Sequence, residues 1–281
     1  NTVVGSQALA DNTTGASNTA IGREALHSNT TASSNTAVGK HSLRNNTTGA
    51  DNTAVGLDAL SVNSTASNNT AVGKSALAAN TGADGRNNTA VGASSMDANT
   101  TGKNNVALGH DALGANTTAD NNTAVGKDAL LSNTTGANNV AVGSLALDAN
   151  TTASKNTAIG QASLTFNTTG ASNTAVGQGS LQNNSTASNN TAVGTDALNA
   201  NTTGTENTAV GSLAGDALTV GTKNIAIGYR ALSDDTKGSK NVAVGNFTLA
   251  TQNFTSATDS YNTGVGHGAG EAITTGVQNT L

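Results

Sequence analysis

The side chains able to do chemistry are few and scattered. Four histidines, His27, His41, His110 and His267, are the best candidates for metal binding or proton transfer. A metal centre needs several ligands converging on one point, and nothing in their spacing brings these four together. Carboxylates such as Asp58, Asp111, Asp128 and Asp196 could act as an acid/base pair only if one were desolvated. Glycine is abundant, but no Gly-x-Gly-x-x-Gly run opens a helix, so no phosphate or dinucleotide loop is credible. The chain has no Cys, which excludes a disulfide framework and a thiolate metal site. Asn12-Thr13-Thr14 and its copies match the Asn-x-Ser/Thr glycan acceptor pattern, with turn residues as the preferred reading. The expectation is therefore no enzyme, with catalytic, cofactor-binding and metal residues all none, and ligand-binding residues unknown.

The framework that must position these residues is one pentapeptide, Asn-Thr-Ala-Val-Gly. It occurs at Asn18–Gly22, Asn35–Gly39, Asn52–Gly56, and so on to Asn262–Gly266, after a first variant at Asn1–Gly5. There are sixteen copies, and Asn279-Thr280 opens another. The closing glycines lie 17 residues apart, except Gly73 to Gly92 (19) and Gly245 to Gly266 (21). A fixed period of this size signals a solenoid, in which each repeat buries its apolar face only by stacking on its neighbours.

Numbering each repeat from its Asn, positions 2 and 4 take Thr, Val, Ile or Leu, while position 3 is Ala almost throughout. This period-2 alternation over β-prone residues predicts a short strand. Position 4 is expected to be buried, with position 3 facing the opposite way and offering a close contact surface. Positions 6 and 7 vary freely and carry charge (Arg23-Glu24, Lys127-Asp128), as a solvated corner would. The four histidines fall at positions 10, 7, 6 and 6 and the four aspartates at position 7, all read as exposed surface. Positions 8 and 9 are typically Ala-Leu, and positions 12 to 15 are commonly Asn-Thr-Thr-Gly, a turn. Twelve consecutive position-12 Asn residues, from Asn12 to Asn201, and the sixteen at position 1 could form ladders along the axis.

Two repeats exchange one feature for another. Gly215 replaces the position-9 Leu while Leu218 replaces the position-12 Asn, and Gly270 with Ile273 does the same. Both positions are thus expected to reach one core pocket, which makes the repeat a closed coil. A helical reading fails on the recurring Gly and on the absence of a 3.6-residue stripe. The inserts at Asp84-Gly85 and Phe254–Ser260 read as bulges at the corner. The nearby Phe247, Phe254 and Tyr261 read as a core plug, with a receptor-facing loop as the alternative.

Composition agrees with a thin core. The chain has 281 residues, no Pro or Trp, 2% aromatics and 10% charged residues, with net charge −5. The low charge speaks against nucleic acid, which calls for a basic stripe. No apolar run approaches the ~20 residues of a membrane helix. Disorder is the bland alternative for so polar a chain, but apolar positions that stay in phase over sixteen repeats argue against it. Ordering one coil costs roughly 17 kcal/mol of backbone entropy. Burial of its apolar side chains returns about 6 kcal/mol. Some ten hydrogen bonds to adjacent coils return about 10 kcal/mol. The balance is near zero, so an extra buried surface would tip it, and a parallel homo-oligomer is expected.

With Asn-Thr-Ala-Val-Gly at each repeat and a small-residue second half, the chain resembles the head repeats of YadA-type trimeric autotransporter adhesins, and related phage tail-fibre arrays. The resemblance covers essentially all of residues 1–281, although the familiar adhesin repeat is shorter than this one. It implies left-handed parallel β-rolls, three chains together, exposed on a cell surface, without catalytic residues. The expected fold is all-β, a parallel β-solenoid (β-roll) of sixteen ~17-residue coils, side by side in a homotrimer. The chain is expected to be a single array, a segment of a longer fibre protein, extracellular, on a cell surface or on a virion. Fifteen steps at the ~4.8 Å strand spacing would make a rod roughly 70 Å long. The expected function is a structural or adhesive fibre segment without cofactors. Its expected partners are copies of itself and a host-surface receptor or glycan, with no nucleic acid and no membrane within the segment. The alternatives are an ice- or surface-binding solenoid presenting the Thr13-Thr14 columns, and a carbohydrate-binding or glycan-processing fibre.

Overall fold

A computed structural model describes all residues, Asn1–Leu281. The chain is all-β, and each repeat is one coil of a parallel β-solenoid. Two compact units divide it, Asn1–Asn139 and Val140–Leu281. In the first unit, three-residue strands run from Thr2–Val4 to Thr123–Val125. Each pairs in parallel with its equivalent one repeat on, as Thr36↔Thr53, Ala37↔Ala54 and Val38↔Val55 do. In the second unit the same ladder runs from Val140–Val142 to Thr263–Val265. The 21-residue repeat adds a small second ladder, Gly238–Ser239 with Thr258–Asp259.

The strand has its expected alternation but the opposite phase. Position 3 points inward: from Ala20 to Ala243 every one of these alanines is buried. Position 4, expected to be buried, lies on the outer face together with position 2. Val125 and Val176 are half-exposed, and Ile21, Leu108, Ile159 and Val210 are exposed. The reason is the narrowness of the coil. The buried Leu of position 9 lies across from the strand, as shown where the last repeat has Gly264 at position 3. A Cβ there would sit 3.4 Å from Leu249 Cγ and 2.7 Å from Thr248 Cγ2. Thr248 stands here in place of the usual position-8 Ala and leaves no room for even a methyl, so position 3 is Gly. Opposite the smaller Ala of most repeats it is Ala, and a Val would overpack the coil. Position-3 Ala is therefore the inner wall of the coil and not a contact surface between chains.

Leu26, Leu43, Leu60, Leu77, Met96 and Leu113 continue the core along the axis of the first unit, each fully buried. In the second unit Leu218 takes over where Gly215 leaves position 9 empty: its Cδ1 lies 3.1 Å from the point a Gly215 Cβ would occupy. The shared pocket expected from the Leu/Gly exchange is thus present.

Between these apolar columns run two Asn ladders. Each position-12 amide donates to the Oδ1 of the preceding rung, as Asn29 does to Asn12 (2.9 Å) and Asn63 to Asn46 (2.9 Å). At position 1, each backbone N–H donates to the preceding Asn Oδ1, as Asn35 does to Asn18 (2.9 Å). Both amides then converge on one carbonyl of their own coil: Asn18 Nδ2 and Asn29 Nδ2 meet Ala32 O at 2.8 and 3.0 Å. Polar groups buried this deeply are tolerated because their donors are used. In the folded coil the same burial leaves no room for a glycan on these amides: Asn29, Asn46 and Asn63 are 0% exposed.

The corners are backbone devices. Position 5 adopts φ near +135°, as at Gly109 (φ 144°), and a Cβ there would stand 2.4 Å from the Gly126 carbonyl oxygen. Only Gly fits that column. Positions 7, 9 and 17 are left-handed without being Gly, for example Asp128, Leu130 and Asn138 (φ 57°, 52° and 60°). Each costs roughly 1–2 kcal/mol, a strain the ladders hold in place. The 19-residue repeat places its extra residues at the turn, where Gly85 O still accepts from Asn69 Nδ2 and Asn80 Nδ2 (2.9 and 2.8 Å).

Candidate interaction face

No pocket of ligand size opens on the chain. The outer face of the strand ladder is the most regular surface in each unit. It carries two parallel rows, position 2 (Thr19, Thr36, Thr53, Thr70 in the first unit) and position 4 (Ile21, Val38, Val55, Val72). In-register pairing stacks each row at one strand spacing, about 4.8 Å. In every copy these two positions hold Thr, Val, Ile or Leu, and never a charged residue. Exposed apolar side chains scattered singly are ordinary, but a continuous row of exposed and half-exposed ones is not. Large side chains of position 4 stand open to solvent in both units, including Val91 and Leu108 in the first and Val193, Val210 and Ile227 in the second.

The Thr-Thr turn is a poorer surface than its sequence suggests. Thr13 Oγ1 donates to Thr30 O of the next coil (2.9 Å), and Thr47 and Thr100 do likewise. Only position 14, as at Thr14 and Thr48, remains a fully exposed row.

Many of the titratable residues lie on the position-6/7 corner, with others such as His27 and Asp97 at position 10. Glu24 is nearly buried beneath Arg23 and Arg44, 2.9 and 2.8 Å away, and the Arg23 hydrogen bond foremost holds its carboxyl below the ordinary value. His41 bridges coils, with Nδ1 3.0 Å from Asp58 Oδ1 and Nε2 3.6 Å from Glu24 Oε2. His110, Asp111 and Asp128, which sequence reasoning leaves apart, do come together, with ligand atoms within 4.8 Å of one another. Their donor types suit a divalent cation. Asp128, however, is ion-paired with Lys127, whose ammonium that hydrogen bond holds above its ordinary value. Burial, and then the charge of Asp111, pushes the Asp97 carboxyl up. His27 sits beside Asp11 (3.5 Å), and His267 packs edge-on against Phe247. Asp196 lies next to Asn199, whose Nδ2 donates to its Oδ1 (3.1 Å).

The three aromatics expected to act together do not. Phe254 is buried (6% exposed) and does plug the core, whereas Tyr261 is 50% exposed and Phe247 only half-buried. Tyr261 lies instead under the Lys240 ammonium, 4.8 Å from the ring centroid.

No protein-family model, curated protein or solved structure matches this chain.

Proposed function

We propose that the chain is a structural and adhesive fibre segment that works as a side-by-side parallel homo-oligomer, joined through the Thr/Val face. The observation that carries this reading is the uncharged outer row of position 4, nowhere buried: half-exposed at Val38, Val55, Val72 and Val176, and exposed at Ile21, Val91, Leu108, Ile159, Val193, Val210 and Ile227. Interface cores are depleted of charge in this way, and burying the row would add the surface that a thin coil lacks. Three chains is the number implied by the YadA-type resemblance, as is a place outside the cell or on a virion. Native mass spectrometry and sedimentation test the reading. A mass of three chains is expected, reduced to one by Val125→Lys, and a stable wild-type monomer would end it.

A second reading has one observation in its favour. The position-2 threonines, Thr19 to Thr89, form a regular column beside the valines on the same ladder, as a surface that meets ice or another crystal would require. A monomer that shows thermal hysteresis would favour this reading over self-association.

A further inference from the structure

In two coils of the second unit, position 10 carries a side-chain donor to the coil before it. Asn199 Nδ2 donates to Gly179 O (2.9 Å) and Thr165 Oγ1 donates to Leu145 O (3.2 Å). Each acceptor is the position-7 carbonyl of the preceding repeat. Gly179 O also accepts the Gln182 N–H of its own coil (3.2 Å), so the Asn199 side chain takes its second lone pair. The two positions are closely packed: a Cβ on Gly179 would lie 3.2 Å from Asn199 Nδ2. Asp216 occupies position 10 one repeat further on, where Asp196 supplies the position-7 carbonyl. Asp196 O accepts the Asn199 N–H of its own coil (3.3 Å), as Gly179 O accepts that of Gln182. The remaining lone pair is thus left to position 10, but an ionised carboxylate has no proton to give it. Asp216 Oδ1 is in fact buried without a hydrogen-bond partner.

We propose that Asp216 is a proton-operated clasp between coils: protonated, its carboxyl donates to Asp196 O and ties the two coils together, and ionised, it releases them. The charged groups around it are Asp196 in the preceding coil and Arg230 and Asp234 in the following one. Arg230 pairs with Asp234 (3.9 Å), and Asp196 Oδ1 accepts from Asn199 Nδ2 (3.1 Å). The direction of titration agrees with the geometry. Burial foremost pushes the Asp216 carboxyl up, and Asp234 and Asp196 add to this against the pull of its own N–H and of Arg230. The folded chain therefore keeps this proton at a pH where the unfolded chain has lost it. The clasp is closed below the folded value and opens as pH rises through it, so the corner is tightest in acid. Asp97 repeats the arrangement in the first unit. It also stands at position 10, after Ser75 at position 7 of the preceding repeat. Burial pushes its carboxyl up as well, and Asp111 of the following coil is the charged group that faces it. The clasp needs neither self-association nor adhesion.

The test uses the full chain with Asp216→Asn, Asp216→Thr and Asp216→Val, melted at pH 3 and pH 7 and followed by hydrogen exchange. Asn and Thr donate at every pH, as Asn199 and Thr165 do at the same position. Both variants should therefore match the wild type at pH 3 and melt above it at pH 7. Val has the shape of Thr but no donor, so Asp216→Val should melt below Asp216→Thr at both pH values and below the wild type at pH 3. This split separates a clasp from a buried charge that only costs energy, for which Thr and Val would be alike. Hydrogen exchange, corrected for its intrinsic pH dependence, should show the Asp196 and Asp216 coils of the wild type more protected at pH 3 than at pH 7. The expected change is roughly fivefold, the scale of one net hydrogen bond, and it should be absent in Asp216→Asn. Thr and Val variants that melt alike overturn the proposal. Wild-type protection of these coils that does not change with pH, or a change that persists in Asp216→Asn, overturns it too.

Discussion

Asn116 donates its Nδ2 to Asn99 Oδ1 of the preceding coil at 2.8 Å and to Ala119 O of its own coil at 3.2 Å, and all three residues are buried. Asn133 in turn donates to Asn116 Oδ1 (3.2 Å). One side chain thus satisfies two acceptors and one donor across three coils. Asn116→Ala should therefore cost more than an ordinary hydrogen bond, about 3 kcal/mol or more, because buried groups are left unmade on both sides. Hydrogen exchange would locate the loss: amides of the Asn99, Asn116 and Asn133 coils should lose protection before distant ones, as expected of a stack of nearest neighbours. Uniform loss along the unit would contradict a local ladder.

The position-12 ladder ends at Leu218. Leu has no donor, so Asn201 Oδ1 is buried without a partner. The next rung, Asp235, is a fully buried acceptor that takes Gln252 Nε2 (2.6 Å) and the Gly238 N–H (2.8 Å). Both of its oxygens accept from groups of its own or the following coil, so nothing here donates back towards position 218. Gly215→Leu alone should destabilise, because its side chain would enter the space held by Leu218 and Leu198. Adding Leu218→Asn should recover most of that loss by vacating the space and giving Asn201 its donor. A double-mutant cycle should show coupling of about 1–3 kcal/mol, and additive effects would mean the two positions do not share a pocket.

Carboxylates with displaced titrations predict the pH response. Burial pushes Asp216 and Asp97 up from their ordinary value. The folded state then holds protons that the unfolded chain has released, so stability falls as pH rises from the unfolded value near 3.9 through the raised folded one. Asp216→Asn and Asp97→Asn should raise the melting temperature at pH 7 and change it little at pH 3. Glu24 has the opposite sign, because Arg23 and Arg44 hold its carboxyl down. Its contribution is present above the unfolded value and lost as pH falls through the folded one. Glu24→Gln should therefore lower the melting temperature at pH 7 and have no effect in strong acid. A Glu24→Gln penalty that persists in acid would show that packing, and not charge, holds the corner.

The period, the coil, the Leu pocket and the Asn ladders are all legible in the sequence, because each is a residue type returning at a fixed position. The phase of the strand is not. Alternation says that neighbours point to opposite faces, but a shift of one residue exchanges those faces. Val reads as interior by hydrophobicity and Ala as a contact surface by its constancy. The clue that reverses this is the same constancy of Ala: these alanines are fully buried, and where Thr248 stands beside Leu249 the facing strand gives up the methyl altogether for Gly264. The aromatic set misleads for another reason. Phe247 meets Tyr229 and His267 through neighbouring coils, at positions 7 and 6 of different repeats. Composition shows that aromatics gather near the end of the chain but not which of them turn outward.

The inner and outer rows make opposite forecasts for the same substitution. Leu113 is 0% exposed, so Leu113→Asp places an unpaired carboxylate in the core at a cost of several kcal/mol. Val125 is half-exposed on the outer row, so Val125→Asp meets water and should leave the isolated chain folded. Self-association through that row would instead be broken, because the same carboxylate would face an apolar partner. Circular dichroism melting with sedimentation separates the two effects. Leu113→Asp should melt much earlier at any assembly state, whereas Val125→Asp should shift the mass to one chain while keeping the strand signal. If Val125→Asp instead unfolds the chain at low concentration, where no oligomer forms, position 4 contributes to the fold of the coil itself and the outer row is not a free face.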